Sequence, residues 1–324
     1  MQKQIRIGTR ESQLAVWQAT QVKDLLAAQG RDAVLVYIKS EGDMDLKTPL
    51  YEMGVTGVFT RSLDMALLND RIDIAVHSMK DVPTHLPDGL QQAAVLKRGP
   101  VRDLLVFKSG KSGDGSAAGD FLLQKEYIAH IATSSIRRRA QWLHKYPLHQ
   151  LHNLRGNVNT RLRKLEEESW DAAIFAQAGL ERIHLRPAGS IVLDWMLPAP
   201  AQGAIMIVCR EEDPAIFEAC QPLNDEETAL CTKIERDFLR TLLGGCSTPI
   251  SALAEIEDGD IYFDGNILSP DGQNKAEIEK ILPVGLANGL GRSAAAELLE
   301  RGGQEIVDGL RKEGKTSGQE QEAE

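Results

Sequence analysis

Residues 72–83 read Ile72-Asp73-Ile74-Ala75-Val76-His77-Ser78-Met79-Lys80-Asp81-Val82-Pro83. The run from Ile72 to Val76 is apolar apart from one aspartate, β-branched and too short for a helix, so it reads as a strand buried on both faces. It stops at a polar turn that Pro83 closes. A strand of this kind needs helices above and below its sheet, and the preceding chain supplies them. Ile5 and Ile7 open a short strand, and Ser12 caps a helix with Leu14, Trp17, Val22, Leu25 and Leu26 at helical spacing. Val34, Val36 and Ile38 alternate as a second strand, and after a Gly- and charge-rich loop (Ser40 to Gly57) a helix spans about Val58 to Asn69. The βαβα order implies a mostly parallel sheet with helices on both faces.

The pattern then repeats. Beyond Gly99-Pro100, Leu104 to Phe107 is a strand and Lys108 to Asp120 a Gly/Ser-rich loop. Ile128 to Ala132 is a strand, Ser135 to Lys145 a helix, Leu148 to Leu154 a strand and Asn157 to Glu168 a helix. Asp171-Ala172-Ala173-Ile174 echoes Asp73-Ile74-Ala75-Val76, each opening a buried strand with an aspartate. Two α/β lobes of similar build follow. Leu197 to Gly203 reads as a hinge returning to the first lobe, with a strand over Ala204 to Cys209. A third, small α/β unit begins near Asp213. It has a helix over Glu226 to Leu242, a Gly244-Gly245-Cys246 turn, hairpin-like strands around Ile250–Glu257 and Ile261–Leu268, and a last helix from Gly291 to Lys312. The expected domains are 1–99 with about 197–213, then 100–196, then 214–312, with 313–324 a disordered polar tail.

The 324 residues carry a formal charge of −10, yet no Asp or Glu occurs from Tyr127 to Leu165. That window holds Arg137, Arg138, Arg139, Lys145, Arg155, Arg161, Arg163 and Lys164, and four of the seven histidines. An acid-free cationic island in an acidic chain points to a bound anion, since guanidinium forks match carboxylates and phosphates. The acidic balance argues against a nucleic-acid partner. No apolar run reaches the length of a membrane span, and the N-terminus lacks the apolar core of a signal peptide, so a cytoplasmic location is expected. Four cysteines without CxxC spacing indicate neither a disulfide scaffold nor a zinc site, and no metal is expected.

Two segments of the island share one architecture. Thr133-Ser134-Ser135 joins a strand to a helix bearing Arg137 and Arg138; Asn153-Leu154-Arg155-Gly156-Asn157 does the same ahead of Arg161. Helix N-termini present free N–H groups and a positive dipole end, and ligands of open α/β sheets bind at the carboxyl ends of strands. A solvated basic helix face is the competing reading of any one arginine. Gly8-Thr9-Arg10-Glu11-Ser12 has the same form. Lys80 and Asp81 stand side by side at a strand's end, where a carboxylate can take protons or stabilise a developing cation and an ammonium can hold an anionic substrate. His77 reads as a packed residue. Cys246, between paired glycines and Ser247, is a nucleophile, an attachment point or an inert thiol.

Seven strings in order and spacing, GTRES (8–12) with LAVWQA (14–19), DIAVHSMKDVP (73–83), TSSIRRR (133–139), LRGNVNTRL (154–162), DAAIFAQAGLER (171–182), LPAPAQGAI (197–205) and LLGGCSTPI (242–250), resemble the porphobilinogen deaminase (hydroxymethylbilane synthase) family. The resemblance runs from Arg6 to about Leu268 and weakens beyond. It implies three domains, the first two doubly wound lobes like a periplasmic binding protein, with a cleft between them. It implies a transferase of porphyrin biosynthesis that condenses four porphobilinogen molecules head-to-tail onto a dipyrromethane primer, releasing ammonia and then hydroxymethylbilane. Cys246 matches the cysteine that holds that cofactor by a thioether, and Asp81 the catalytic aspartate. Arg10, Ser12, Lys80, Arg137, Arg138, Arg155 and Arg161 match residues that bind the acetate and propionate groups of cofactor and substrate. Ser78, Thr133, Ser134 and Gly156 lie within those motifs, and Arg182 matches a further basic position near the cofactor.

The chain departs from the family's pattern at Ser40-Glu41-Gly42-Asp43, where Thr-Arg-Gly-Asp is frequent, at Glu52 and Thr56, where lysines are frequent, and at Asn159 and Ala201. Loop contacts to substrate are therefore not carried over. A monomer is the default expectation, because the third unit shows no apolar stripe for a partner. The alternative from another class is a two-lobed binding protein for a small anion, which would have no use for a Gly-Gly-Cys turn on a third domain.

Overall fold

The computed structural model describes residues 4–39, 60–109, 127–242 and 248–321, with side chains to residue 312. The first sheet has the order β2-β1-β3-β10-β4, from β1 (Ile5–Thr9), β2 (Ala33–Tyr37), β3 (Ile74–Ser78), β4 (Leu90–Val95) and β10 (Ile205–Arg210). The second has the order β7-β6-β8-β5-β9, from β5 (Asp103–Phe107), β6 (His130–Ala132), β7 (Gln150–His152), β8 (Ala172–Ala176) and β9 (Ile191–Val192). Each has four strands running in one direction and one against them, β10 between β3 and β4 and β5 between β8 and β9. The sheets are mixed, mostly parallel in strand direction as expected, with one reversed strand inserted in each. The reversed strand of each lobe is the one that arrives from the other lobe, so its direction is set by the crossing and not by a βαβ turn.

Both sheets are covered on two faces. Along β10, Ile205, Ile207 and Cys209 pack with α1 (Gln13–Ala28) and α6 (Pro214–Cys220), while Met206 and Val208 face α2 (Arg61–Leu68). Along β5, Leu105 and Phe107 meet Trp142 of α3 (Ile136–Lys145). Leu104 and Val106 meet Leu165 of α4 (Val158–Glu167) and Leu180 of α5 (Gln177–Arg182). This period-two alternation makes a strand apolar throughout. The aspartate echo is structural. Asp73 Oδ2 accepts from the Arg6 amide at 2.8 Å, and Asp171 Oδ2 from the His130 amide at 2.7 Å, each tying β3 or β8 to the neighbouring strand at the same point.

The third unit is an antiparallel sheet, β11 (Ile250–Glu257), β12 (Asp260–Leu268) and β13 (Lys275–Pro283), packed on α7 (Glu226–Thr241) and α8 (Leu290–Leu298). β4, β9, α5, α6 and β13 are additions to the sequence reading. Gln91-Gln92 interrupts the apolar run of β4, and β13 is a charged edge strand that buries only alternate residues such as Ala276 and Ile278. The last helix is broken by a kink within Leu299–Gly303, where Arg301 and Gly302 leave helical angles (Gly302 has φ 102°), and resumes as α9 (Gln304–Gln321). α9 thus crosses most of the stretch read as a disordered tail; the stretch contains no proline to stop it.

Two chain passes link the lobes, and they touch. The Gly99 amide donates to Gly203 O at 3.1 Å. Gly203 has φ +86°, and a Cβ there would stand 2.6 Å from Gly99 O. The third unit grips this crossing through Glu235 of α7, which is 0% exposed. Glu235 accepts from both Arg98 terminal nitrogens at 2.6 and 2.9 Å, and from the amides of Ala201 (2.6 Å) and Ala254 (2.8 Å). Removing Arg98 leaves a buried carboxylate facing only amides. Arg98→Met should therefore lose about 3–5 kcal/mol of unfolding free energy, read from the urea midpoint; a loss under about 1 kcal/mol would show that Glu235 does not depend on the pair.

Candidate active site at the lobe crossing

β3 ends at Ser78 and passes into a single 3-10 turn, Met79–Asp81. Met79 points into the core at 2% exposure, which turns the half-buried Lys80 and Asp81 outward. Ser78 Oγ accepts from Gln18 Nε2 of α1 at 2.8 Å. Lys80 Nζ donates to Gln202 Oε1 at 3.3 Å. Burial pushes Lys80 down to about 8, against the pull of the adjacent Asp81 carboxylate. His77 is buried, and burial with the nearby Arg10 charge holds it near 4, so it is neutral at pH 7. It is a packed histidine, as its lone occurrence implied.

The opposite wall comes from the second lobe. Ser135 caps α3 and brings Arg137 and Arg138 into its first turn, both nearly fully buried. Their forks meet on Asp103, the first residue of β5. Arg137 Nη2 donates to Oδ2 at 2.7 Å and Arg138 Nη2 to Oδ1 at 2.8 Å, and Gln202 Nε2 adds a third bond to Oδ1 at 2.8 Å. The other terminal nitrogens donate to Leu197 O (2.7 Å) and Ile174 O (2.9 Å). The two Nε–H groups are buried and have no partner among the described residues. Although burial opposes its charge, Asp103 is held well below the usual carboxylate range by the two guanidiniums.

Arg155 follows β7 and is 3% exposed. Gly156 then takes φ +114°, where a Cβ would meet Thr160 at under 3 Å, and the turn lets Arg161 Nε donate back to Gly156 O at 2.7 Å. Arg161 is pushed down to about 10, first by burial, then by Arg138, with Asp81 pulling the other way and Arg155 adding to the repulsion. The carboxylate of the first lobe therefore lies inside the field of the second lobe's arginines.

The rest of the island is different. Arg139 is exposed, Arg163 makes only a 3.8 Å surface pair with Glu167, and Lys145 lies over the Trp195 ring. His130 and His152 stack on each other, His149 accepts from Trp142 Nε1, and His144 pairs with Gly272 O of the third unit. The solvated helix face thus describes Arg139 and Arg163, while the four histidines are packed or hydrogen-bonded. Ser12 caps α1 through the Ala15 amide, Thr133 Oγ1 accepts from the Ser135 amide, and Ser134 Oγ donates to Leu154 O, so all three shape the turns at which the arginines stand. Arg10 leaves β1 close enough to His77 to lower its pKa. Arg182 stands apart from the cluster: Nη2 donates to Gly203 O at 2.6 Å and the guanidinium covers Trp17 of α1 at 5.6 Å. Cys246 and the 40–57 loop lie outside the described residues.

Asp103, Gln202 and Gln18 were not singled out from sequence. A signal existed for Asp103: it opens an apolar strand as Asp73 and Asp171 do. Among the described residues no cluster of His, Cys, Asp and Glu is suited to a metal, and no helix is long and apolar enough to cross a membrane.

The profile described as "Porphobilinogen deaminase, dipyromethane cofactor binding domain" matches residues 5–218, and that described as "Porphobilinogen deaminase, C-terminal domain" matches residues 229–300. This chain belongs to the porphobilinogen deaminase family. It is 41% identical over 310 residues to the porphobilinogen deaminase of Syntrophotalea carbinolica, covering 94% of this chain and 96% of that one. It is 42% identical over 317 residues to the chloroplastic porphobilinogen deaminase of Oryza sativa subsp. japonica, covering 94% and 86%. The methionine binding protein MetQ is a distant likeness, with a TM-score of 0.41 and 15% identity over 70% of this chain and 93% of that one, and bears on nothing here. The activity is that of a porphobilinogen deaminase in tetrapyrrole biosynthesis, working with a dipyrromethane cofactor.

Lys80 gives this deaminase cleft a pH signature. A lysine lowered in the fold binds fewer protons than in the unfolded chain between about 8 and 10.5, so its burial opposes folding below 8 and stability rises with pH across that window. Its charge is lost above about 8, and KM for the carboxylate-bearing substrate should climb there. Lys80→Arg should flatten that limb in initial-rate profiles, and an unchanged profile would remove Lys80 from substrate binding.

Proposed function

We propose that Asp81 is the catalytic carboxylate of this deaminase and that Lys80, Arg10, Arg137, Arg138, Arg155 and Arg161 form the carboxylate-binding wall around it. The observation that carries the reading is Asp81 set in a field of buried and half-buried cations that Asp103 only partly offsets and whose charge is opposed by burial and by one another. Arg161 and Arg137 are lowered in this way, so an arriving anion relieves a repulsion already present. Each porphobilinogen brings two carboxylates.

Asp81 acts on the pyrrole nitrogen. The substrate's amine, protonated to the ammonium form, leaves as ammonia when the C–N bond breaks and its electron pair goes to nitrogen; the pyrrole nitrogen supplies electrons to the ring, and positive charge develops on that nitrogen. A fixed carboxylate beside the N–H stabilises that charge more strongly than water would, because its position is paid for during folding. The donor set fits a dipyrromethane: it offers buried guanidinium and ammonium groups for carboxylates and a carboxylate for pyrrole N–H groups. When bound through Cys246, that group supplies the free pyrrole carbon to which the substrate units are joined. Arg137 and Arg138 each place one terminal nitrogen on Asp103 and the other on a backbone carbonyl, which leaves Nε–H and the second N–H of each terminal nitrogen as further donors. Ser12, Ser78, Thr133, Ser134 and Gly156 shape the turns that carry the cations. Arg182 acts at the lobe contact. We further infer a cytoplasmic monomer; the buried free thiols of Cys209, Cys220 and Cys231 suit a reducing compartment, and sedimentation at micromolar concentration checks the subunit count.

Intact mass and turnover test the reading together. The holoenzyme should be heavier than its sequence by one dipyrromethane, and Cys246→Ala should lose that excess. Asp81→Ala should keep its fold and some of the excess while turnover falls on the order of 10²–10³-fold. Near-normal porphobilinogen consumption by Asp81→Ala would end the assignment of Asp81, and active enzyme with an unmodified Cys246 would end that of the attachment site.

A further inference from the structure

The turn that presents Asp81 is three residues long and closed by a single internal bond, Val82 N to Met79 O at 3.1 Å. Its carbonyls, like those at any helix C-terminus, need donors from elsewhere. They find them in the third unit. Arg236 of α7 donates from Nη1 to Val82 O at 2.9 Å and to Met79 O at 3.3 Å, and from Nη2 to Pro83 O at 2.6 Å. One guanidinium thus spans the carbonyls on both sides of Asp81. An ammonium, as a point donor, cannot hold three carbonyls with one plane.

The helix that carries Arg236 is fixed independently. Its preceding residue, Glu235, is the buried acid locked to Arg98 at the lobe crossing. Successive residues of a helix project about 100° apart, so α7 is wedged between the crossing and the catalytic turn. α7 ends at Thr241, and Leu242 is followed directly by the segment 243–247 that contains Cys246. At about 1.5 Å per residue, Arg236 lies roughly 8 Å along the axis from that end. The grip on the Asp81 turn therefore sits within the last two turns of the helix whose end precedes the attachment cysteine by only a few residues in sequence.

We propose that Arg236 is a positioning residue for the deaminase reaction: it holds the Met79–Asp81 turn against α7 and so sets Asp81 in register with the end of the helix that leads to Cys246. The proposal rests on the reading of Asp81 as the catalytic carboxylate. Arg236 directs its forks at backbone and acts through Asp81. A misplacement near 1 Å costs on the order of 10²-fold in rate, and binding by the arginines of the other lobe is not affected.

The test compares Arg236→Gln and Arg236→Lys in the holoenzyme, alone and combined with Asp81→Asn. Arg236→Gln should lower kcat about 10- to 100-fold with KM for porphobilinogen within about twofold, and keep the intact-mass excess at Cys246. Arg236→Lys should recover part of kcat. Hydrogen exchange at the amides of residues 79–82 should quicken about tenfold or more in Arg236→Gln, while β11–β13 stay as protected as before. In the Asp81→Asn background, Arg236→Gln should cost less than about twofold further, because both act through one group. Equal losses in both backgrounds, an unchanged kcat, or a loss that tracks the mass excess would overturn the proposal. If Arg236→Gln does not fold, Arg236→Lys carries the same comparisons. If Asp81→Asn alone leaves turnover intact, the reading of Asp81 fails, and the exchange measurement alone decides whether Arg236 holds the turn.

Discussion

Burying guanidinium groups beside one another is the constraint on which this structure depends. Each needs its donors answered and its charge offset, and the interior supplies neither unless several segments cooperate. Asp103 is the central answer. It sits at the start of β5, takes one terminal nitrogen from each of Arg137 and Arg138, and takes the amide of Gln202 from the returning chain pass. Gln202 then turns its carbonyl oxygen to Lys80. A chain of polar contacts runs from the arginine helix of one lobe through the crossing to the Met79–Asp81 turn of the other. This acid is spent internally, on the two guanidiniums and the Gln202 amide.

Much of this was legible in the sequence, for physical reasons that can be named. Strands buried on both faces announce themselves as apolar runs, and Ser12, Ser135 and Asn157 each cap the helix their position implied. The grouping of Arg137, Arg138, Arg155 and Arg161 followed from two strand–turn–helix joints of one design. What was not legible was which arginines would turn inward. Arg138 and Arg139 are adjacent and chemically identical, yet one is buried on Asp103 and the other is exposed. Only the partner, 35 residues earlier in the chain, distinguishes them. The strand direction of β10 was hidden for a related reason, since it depends on where the chain has been in between. β13 was hidden because a charged edge strand resembles a loop in composition.

The likeness of the lobes goes deeper than strand order. An aspartate one residue ahead of β3 and another ahead of β8 each accept the amide of the neighbouring parallel strand. In the first lobe the aspartate also takes a two-pronged grip from Arg6, at 3.0 and 2.7 Å. In the second the added partner is the Tyr127 hydroxyl. The shared bond fixes the register of the strands whose far ends bear the functional turns, and the differing partners mark where two similar frames diverged. The proposed site follows the asymmetry: the first lobe would contribute Asp81 with Lys80 and Arg10, and the second most of the guanidinium groups.

β10 lies between β3 and β4 in the middle of the first sheet, yet it is made only after the whole second lobe. During synthesis, β3 and β4 leave the ribosome with their facing edges unpaired and must wait for the hundred or so residues from β5 to the hinge. Such edges invite wrong pairing while they wait. The second lobe, whose strands are contiguous in the chain, has everything it needs to fold at once. The order of assembly is then set by topology: the guanidinium wall is built first, and the strand that presents Asp81 is completed against it.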